Sequence, residues 1–314
     1  MQVLLLGGHG KVALHLTPLL LKRAWNVTSV VRNPDHEKEI LELGKGLKGK
    51  INVLISSLDD IKSANDAQKV LDATTPDYVV WAAGTLLPPS LPAISPPLPP
   101  LDPKPSLPSP VTNTYETIAH PHTNNVGAGG KGGAARTVAI DQEAAKHFIT
   151  ASFATPSVSK FLLISWLGSR RVQPSWIDDE GWKKILATKN EILPAYAAAK
   201  LVADEYQTAL AAKRKRDPAT ADKPFQSISL RPGTLTDEPA TRKVGLGKQG
   251  PGKVTREDVA IVADQLLARA DTEGWYDLIN GDLEVEKAVE KAATEKLDAV
   301  EFEDVDAMIK EFFP

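Results

Sequence analysis

Two groups of residues in this 314-residue chain have the types and spacing to do chemistry: a glycine-rich turn at its start and a Tyr/Lys pair near residue 200. Gly7-Gly8-His9-Gly10-Lys11-Val12-Ala13 follows a short apolar run and leads straight into a helical pattern, as G-x-x-G-x-x-A. Glycines suit a strand-to-helix turn of this kind because it uses φ values closed to other residues and lets a pyrophosphate approach backbone N–H groups. The helix N-terminus adds roughly half a positive charge beneath the phosphates. Ala13 takes the place of a last glycine and still permits close packing of helix on strand. The turn therefore implies a dinucleotide site. The second apolar run ends in Val30-Val31-Arg32-Asn33-Pro34, where a guanidinium suits a ribose 2′-phosphate and so favours NADP(H). Asp35 is close enough to keep NAD(H) as the alternative. Tyr196 and Lys200 are spaced i, i+4 on a predicted helix and project from one face. A tyrosine of ordinary pKa, near ~10, exchanges protons poorly at neutral pH, and an adjacent ammonium favours its phenolate.

These groups need a frame, and strand-like and helix-like segments alternate from the first residue to supply it. Short apolar runs at Val3 to Leu6, Val27 to Val31, Asn52 to Ile55, Tyr78 to Trp81, Phe161 to Ser165 and Ser227 to Leu230 predict strands buried on both faces. Helical patterns cover Lys11 to Ala24, Ile61 to Ala73, Val138 to Ala154 and Pro194 to Lys213, with Pro18 expected to bend the first. Thr255 and Asp258 form a capping-box-like start to another helix, and Val285 to Leu297 and Val305 to Phe312 form a last pair. The pattern predicts a single α/β domain over 1–314: a doubly wound, Rossmann-type parallel sheet with helices on both faces. A small substrate-covering region is expected from residues 168–193 and 234–314. Residues 88–133 interrupt the alternation. Eleven of the 24 prolines fall between Pro88 and Pro110 and a glycine-rich run follows, a composition that cannot pack a core. A tolerated surface insertion is the expectation, with a mobile lid or a partner-docking segment as alternatives.

Composition narrows the partners. The formal net charge of -3 offers no field for nucleic acid or an anionic membrane, which leaves small molecules. The absence of cysteine removes disulfides, thiolate nucleophiles and Cys-ligated zinc. Neither a signal peptide nor a membrane span is indicated, so the expected location is cytoplasmic. His120-Pro-His122 lacks further ligands and reads as uncoordinated, and Lys213-Arg214-Lys215-Arg216 reads as a solvated helix end. Trp166, Trp176 and Trp182 fit either a substrate pocket or a packed core. Periodicity does not separate dimer helices from buried ones, so it assigns no oligomeric state.

In order and spacing, G-G-H-G-K-V-A, V-V-R-N-P, W-A-A-G, V-A-I-D-Q-E-A-A, F-L-L-I-S, Y-A-A-A-K-L-V-A-D-E, L-R-P-G-T-L-T-D-E-P-A-T and T-R-E-D-V-A resemble the extended and atypical short-chain dehydrogenase/reductases. The resemblance implies cofactor contacts from Gly7, Gly8, His9, Gly10, Lys11, Val12 and Arg32. It puts Leu58 or Asp59 beside the adenine, Ala82, Ala83 and Gly84 along the adenosine ribose, and Pro232, Gly233 and Leu235 near the nicotinamide amide. It also implies that Tyr196 protonates a carbonyl oxygen, that Ser165 hydrogen-bonds the same oxygen, and that Lys200 holds the nicotinamide ribose. Asp141 stands where many relatives have asparagine, which puts the usual water relay in doubt, and the Pro-rich insertion is a second departure. The leading expectation is an NADP(H)-dependent oxidoreductase acting on a carbonyl or alcohol. A non-catalytic NADP(H) sensor is the alternative, and an epimerase a weaker one.

Overall fold

The structure, a computed structural model, describes residues 1–84 and 133–314. Most of the 88–133 insertion, with His120 and His122, lies outside the described residues. In chain order the elements are β1 (Gln2–Leu6), α1 (Lys11–Lys22), β2 (Asn26–Val31), α2 (Glu37–Glu42), β3 (Ile51–Ile55), α3 (Ala64–Thr74) and β4 (Tyr78–Trp81). After the insertion come α4 (Gly133–Thr137), a π-helical turn (Val138–Ala144), α5 (Ala145–Ala154), β5 (Lys160–Ile164), α6 (Asp179–Ala187) and α7 (Pro194–Arg216). The remainder is β6 (Gln226–Pro232), β7 (Thr234–Thr236), β8 (Lys243–Gly247), β9 (Lys253–Thr255), α8 (Arg256–Ala268), β10 (Gly274–Asn280), β11 (Leu283–Glu284), α9 (Val285–Thr294) and α10 (Val305–Phe312).

Nine strands form one sheet in the order β11-β8-β10-β6-β5-β4-β1-β2-β3. From β3 across to β10 every pair is parallel, and β8 and β11 close that edge antiparallel. Side chains alternate across the sheet with period two. Val3, Leu5, Val80, Leu162 and Ile164 enter a core under α1, α8 and α9, whereas Leu4, Leu6, Val79, Trp81, Phe161 and Leu163 enter a second core under α3, α5 and α7. Helices thus cover both faces, and the fold is the doubly wound Rossmann-type sheet expected from the sequence.

Local chemistry explains most differences from expectation. Helix α3 starts at Ala64 rather than Ile61 because Ser63 caps it, its hydroxyl accepting from the Asp66 amide. Helix α1 runs on through Pro18 as one helix, with the Thr17 hydroxyl donating to the Ala13 carbonyl. Strand β10 was not legible as an apolar run because Asp277 sits in its middle, fully buried. Arg231 Nε and Arg170 Nη2 reach that carboxylate at 2.9 and 3.1 Å. The short pair β7 and β9 lies outside the main sheet and extends the chain just past β6. Among the described residues no helix is long and apolar enough to cross a membrane.

Candidate functional site

Strand order reverses between β1 and β4, since the chain leaves β1 toward β2 on one side and later adds β4 on the other. In doubly wound sheets this switch point opens a crevice at the carboxyl ends of the strands. The glycine turn lies there. Gly7 has φ +81°, and a Cβ on it would stand 2.6 Å from the Ala83 Cα, so the loops after β1 and β4 touch backbone to backbone. A Cβ on Gly8 would meet the Ser29 hydroxyl oxygen at 1.9 Å. Gly10 N-caps α1 without a side chain, and the first turn of that helix carries no acidic residue. The result is a bare helix N-terminus framed by glycines, the chemistry a phosphate group requires. Val12 is buried beneath the turn. The His9 ring turns to the β2 side, stacked on His36 at 3.5 Å with Nε2 2.8 Å from Glu39 Oε2. Lys11 Nζ donates to Asp237 Oδ2 at 2.5 Å, and Arg256 Nη1 reaches the other oxygen of that carboxylate at 2.6 Å.

Arg32 follows β2 directly and is exposed. Leu58 and Asp59 lie in a 3₁₀ turn after β3. Leu58 packs on the core, whereas Asp59 is bound through both oxygens by Arg136, at 3.1 and 3.0 Å, with Arg32 Nη1 at 3.9 Å from the same carboxylate. The Arg136 hydrogen bonds hold the Asp59 carboxyl below the usual carboxylate range, outweighing its partial burial. Arg136 escaped sequence reasoning because it sits just past the insertion, 77 residues from its partner. Asp237 escaped it as well, lying in a polar run with no periodicity.

Ala82, Ala83 and Gly84 leave the end of β4, and Gly84 meets Asp141 and Lys200 there. A Cβ on Gly84 would stand 3.3 Å from Asp141 Oδ1 and 3.9 Å from Lys200 Nζ. Lys200 is almost wholly buried, its Nζ 3.1 Å from Asp141 Oδ1 and 3.2 Å from the Ile164 carbonyl, to which it donates. Burial opposes its charge, but the Asp141 carboxylate beside it, the Tyr196 phenol and the more distant Asp204 together hold its pKa above the ordinary lysine value. Tyr196 extends from the same face of α7, its ring centroid 5.7 Å from Lys200 Nζ and 6.3 Å from the Trp166 ring. Burial raises its pKa first, and the carboxylates of Asp141 and Asp204 add to that, against the pull of Lys200. The phenol therefore keeps its proton at neutral pH.

Ser165 lies just past β5, yet its hydroxyl donates to Asp204 Oδ2 at 2.5 Å. Asp204 also accepts from the Ser229 hydroxyl at 2.5 Å and from Arg231 Nη1 at 3.1 Å, and all four residues are buried. Hydrogen-bonding a substrate oxygen, the role the resemblance implies for Ser165, requires its proton to leave this carboxylate. Pro232 and Gly233 are buried at the end of β6, where the Gly233 amide donates to the Leu278 carbonyl, and Leu235 packs on the core from β7. Trp166, Trp176 and Trp182 pack around Leu167, Ile177 and Ile185 as a small core of their own. Among the described residues no cluster of His, Asp and Glu has the arrangement to hold a metal ion.

The nine-stranded sheet, with the glycine turn at its switch point, has the same fold as solved NAD(P)-binding Rossmann oxidoreductases. A solved structure from Bacillus halodurans, named as a candidate NAD-dependent epimerase/dehydratase, matches 93% of this chain and 99% of its own with TM-score 0.58 and 23% identity. An oxidoreductase from Lactococcus lactis matches 93% and 96% with TM-score 0.58 and 18% identity. In sequence, a Schizosaccharomyces pombe protein of the UPF0659 group is 26% identical over 293 residues, covering 90% of this chain and 91% of that one. No family model matches the chain.

Proposed function

We propose that this protein is an NADP(H)-dependent oxidoreductase that works toward reduction of a carbonyl group, with Tyr196 as the proton donor. One observation carries the reading: the buried Lys200 ammonium and the Asp141 carboxylate meet beside Gly84, next to the point where strand order reverses, with the Tyr196 ring 5.7 Å from that ammonium. The glycine cradle at Gly7, Gly8 and Gly10 fits a pyrophosphate, and Lys11 and Val12 begin the helix beneath it. Arg32, with Arg136 across Asp59, offers two guanidiniums to a 2′-phosphate. The bound nicotinamide supplies a hydride to the carbonyl carbon. Tyr196 gives its proton to the carbonyl oxygen, Lys200 fixes the phenol's surroundings, and the tryptophan-lined segment 168–193 excludes water from one side. The substrate is a small molecule.

The sensor reading has one observation in its favour, the closed partnerships of Ser165 with Asp204 and Lys200 with Asp141. One experiment tests both. The purified protein is titrated with NADPH and NADH and assayed for NADPH oxidation against a panel of carbonyls and quinones, beside Arg32→Ala and Tyr196→Phe. The proposal expects tighter NADPH binding that Arg32→Ala abolishes, and turnover that Tyr196→Phe lowers by roughly 10²–10⁴ with nucleotide affinity unchanged. Nucleotide binding with no turnover on any member of the panel would leave the sensor reading in its place.

A further inference from the structure

Asp141 contacts the Lys200 ammonium and has no part in the reaction as written. It is fully buried, and the π-helical turn Val138–Ala144 carries it, an irregularity that widens the helix between α4 and α5. Its Oδ1 stands 3.1 Å from Lys200 Nζ and faces Gly84, a Cβ on which would lie 3.3 Å from that oxygen. The Ile164 carbonyl takes a second Lys200 proton at 3.2 Å. Lys200 is thus held between a full negative charge and a carbonyl dipole, with the Tyr196 ring 5.7 Å away. The other ionisable group facing the pair is Asp204, one turn further along α7. Its charge is already taken up by Arg231 and the hydroxyls of Ser165 and Ser229.

An ammonium stabilises a neighbouring phenolate only so far as its field is not cancelled by a closer anion. With Asp141 in contact, Lys200 and Asp141 form a neutral unit. We infer that Asp141 is a positioning residue whose carboxylate serves as the fixed counter-ion of Lys200, so that Tyr196 acts as a proton donor and the site is biased toward reduction. The inference rests on the proposed reading of Tyr196 as the reacting phenol. In that direction hydride adds to the carbonyl carbon, the Tyr196 proton goes to the oxygen, and solvent reprotonates the phenolate left behind. Alcohol oxidation needs Tyr196 to accept a proton, and the neutral pair gives a phenolate no support.

The test follows the ultraviolet absorbance of the phenolate as pH rises, in the nucleotide-bound wild-type protein and in Asp141→Asn, Lys200→Met and the double variant. Each is measured against the same protein carrying Tyr196→Phe, which isolates one of the five tyrosines. Asp141→Asn is expected to lower the Tyr196 midpoint by about one pH unit or more and Lys200→Met to raise it. The double variant, again neutral, is expected to return it close to the wild-type value. The alkaline limb of carbonyl reduction moves with the midpoint. A residue that only shapes the helix would not shift the two single variants in opposite directions. A Tyr196 midpoint left unmoved by Asp141→Asn overturns the inference, as does one that rises. Should the midpoints move as expected while the wild-type protein oxidises NADPH with no substrate, the oxidoreductase reading falls and the ion-pair assignment stands.

Discussion

Ser165→Ala separates a serine that binds substrate from one that holds the scaffold. Its hydroxyl contributes one of three bonds to the Asp204 carboxylate, the others coming from Ser229 at 2.5 Å and Arg231 at 3.1 Å. A hydrogen bond to a charged group contributes about 1.5–3 kcal/mol. The substitution removes one oxygen and leaves both Asp204 oxygens with a partner, so a loss in that range is expected rather than the larger penalty of an orphaned buried charge. At roughly 2–4 °C per kcal/mol for a large domain, the melting temperature falls by about 3–12 °C. Ser229→Ala deletes the hydrogen bond to the other oxygen, Asp204 Oδ1, to which Arg231 does not donate, and is expected to cost more. Both variants are expected to retain turnover within a few-fold of wild type, because the hydroxyl proton each loses points to Asp204. The assay is a pair of thermal melts beside NADPH oxidation with whichever carbonyl the wild-type protein reduces. A substrate-binding hydroxyl behaves differently, since loss of a donor to a developing oxyanion costs about 10²–10³ in kcat. A Ser165→Ala protein with an unmoved melting temperature and turnover down a hundredfold would refute the reasoning.

Gly8→Ala drives a methyl group into Ser29, with Oγ at 1.9 Å and Cβ at 2.9 Å from its position, and is expected to cost about 1–3 kcal/mol. In a Ser29→Gly background most of that cost disappears, and equal costs in both backgrounds by denaturant titration would show that the turn relaxes elsewhere. Lys160, buried where it donates to the Leu267 and Arg269 carbonyls past the end of α8, has its pKa pushed down to about 8 by burial. Between that value and the unfolded value near 10.5 the unfolded chain holds a proton that the native chain has lost. The wild type therefore gains stability relative to Lys160→Met as pH rises through this window, by up to about 3 kcal/mol. Paired denaturant titrations at intervals from neutral pH to pH 10.5 measure the difference, and a constant gap would contradict it.

The half of the fold that carries the glycine turn was legible because its central strands β1 and β4 are buried on both faces and so read as unbroken apolar runs. Val3 to Leu6 and Tyr78 to Trp81 could be placed with hardly a residue of error. The β10 edge was not legible, since a sheet that buries Asp277 between Arg231 and Arg170 looks in sequence like a run broken by a charge. The short antiparallel strands β8 and β11 carry too few alternating positions to declare a period. At the site, residue types gave the position of the glycines and the shared face of Tyr196 and Lys200. Partnerships were beyond reach. Nothing near Asp141 says that its partner is Lys200 on another helix, and nothing near Ser165 says that Asp204 takes its proton. Such contacts are set by how helices pack, which a single sequence does not display.

The bridge from Lys11 through Asp237 to Arg256 has a kinetic side. Asp237 is an anion tethered beside the glycine turn, and any arriving phosphate that takes Lys11 must first displace it. A tethered competitor acts at the high effective concentration of an intramolecular group. Small inorganic anions, with one or two contacts to offer, lose that contest, whereas a ligand gripping many groups at once does not. Asp237 directly follows β7, so the competitor is carried by that strand. Since Lys11 and Asp237 are exposed, dissolved salt weakens their pairing and lowers the threshold for exchange. For a phosphate arriving at this turn, selectivity against smaller anions would thereby depend on one surface carboxylate.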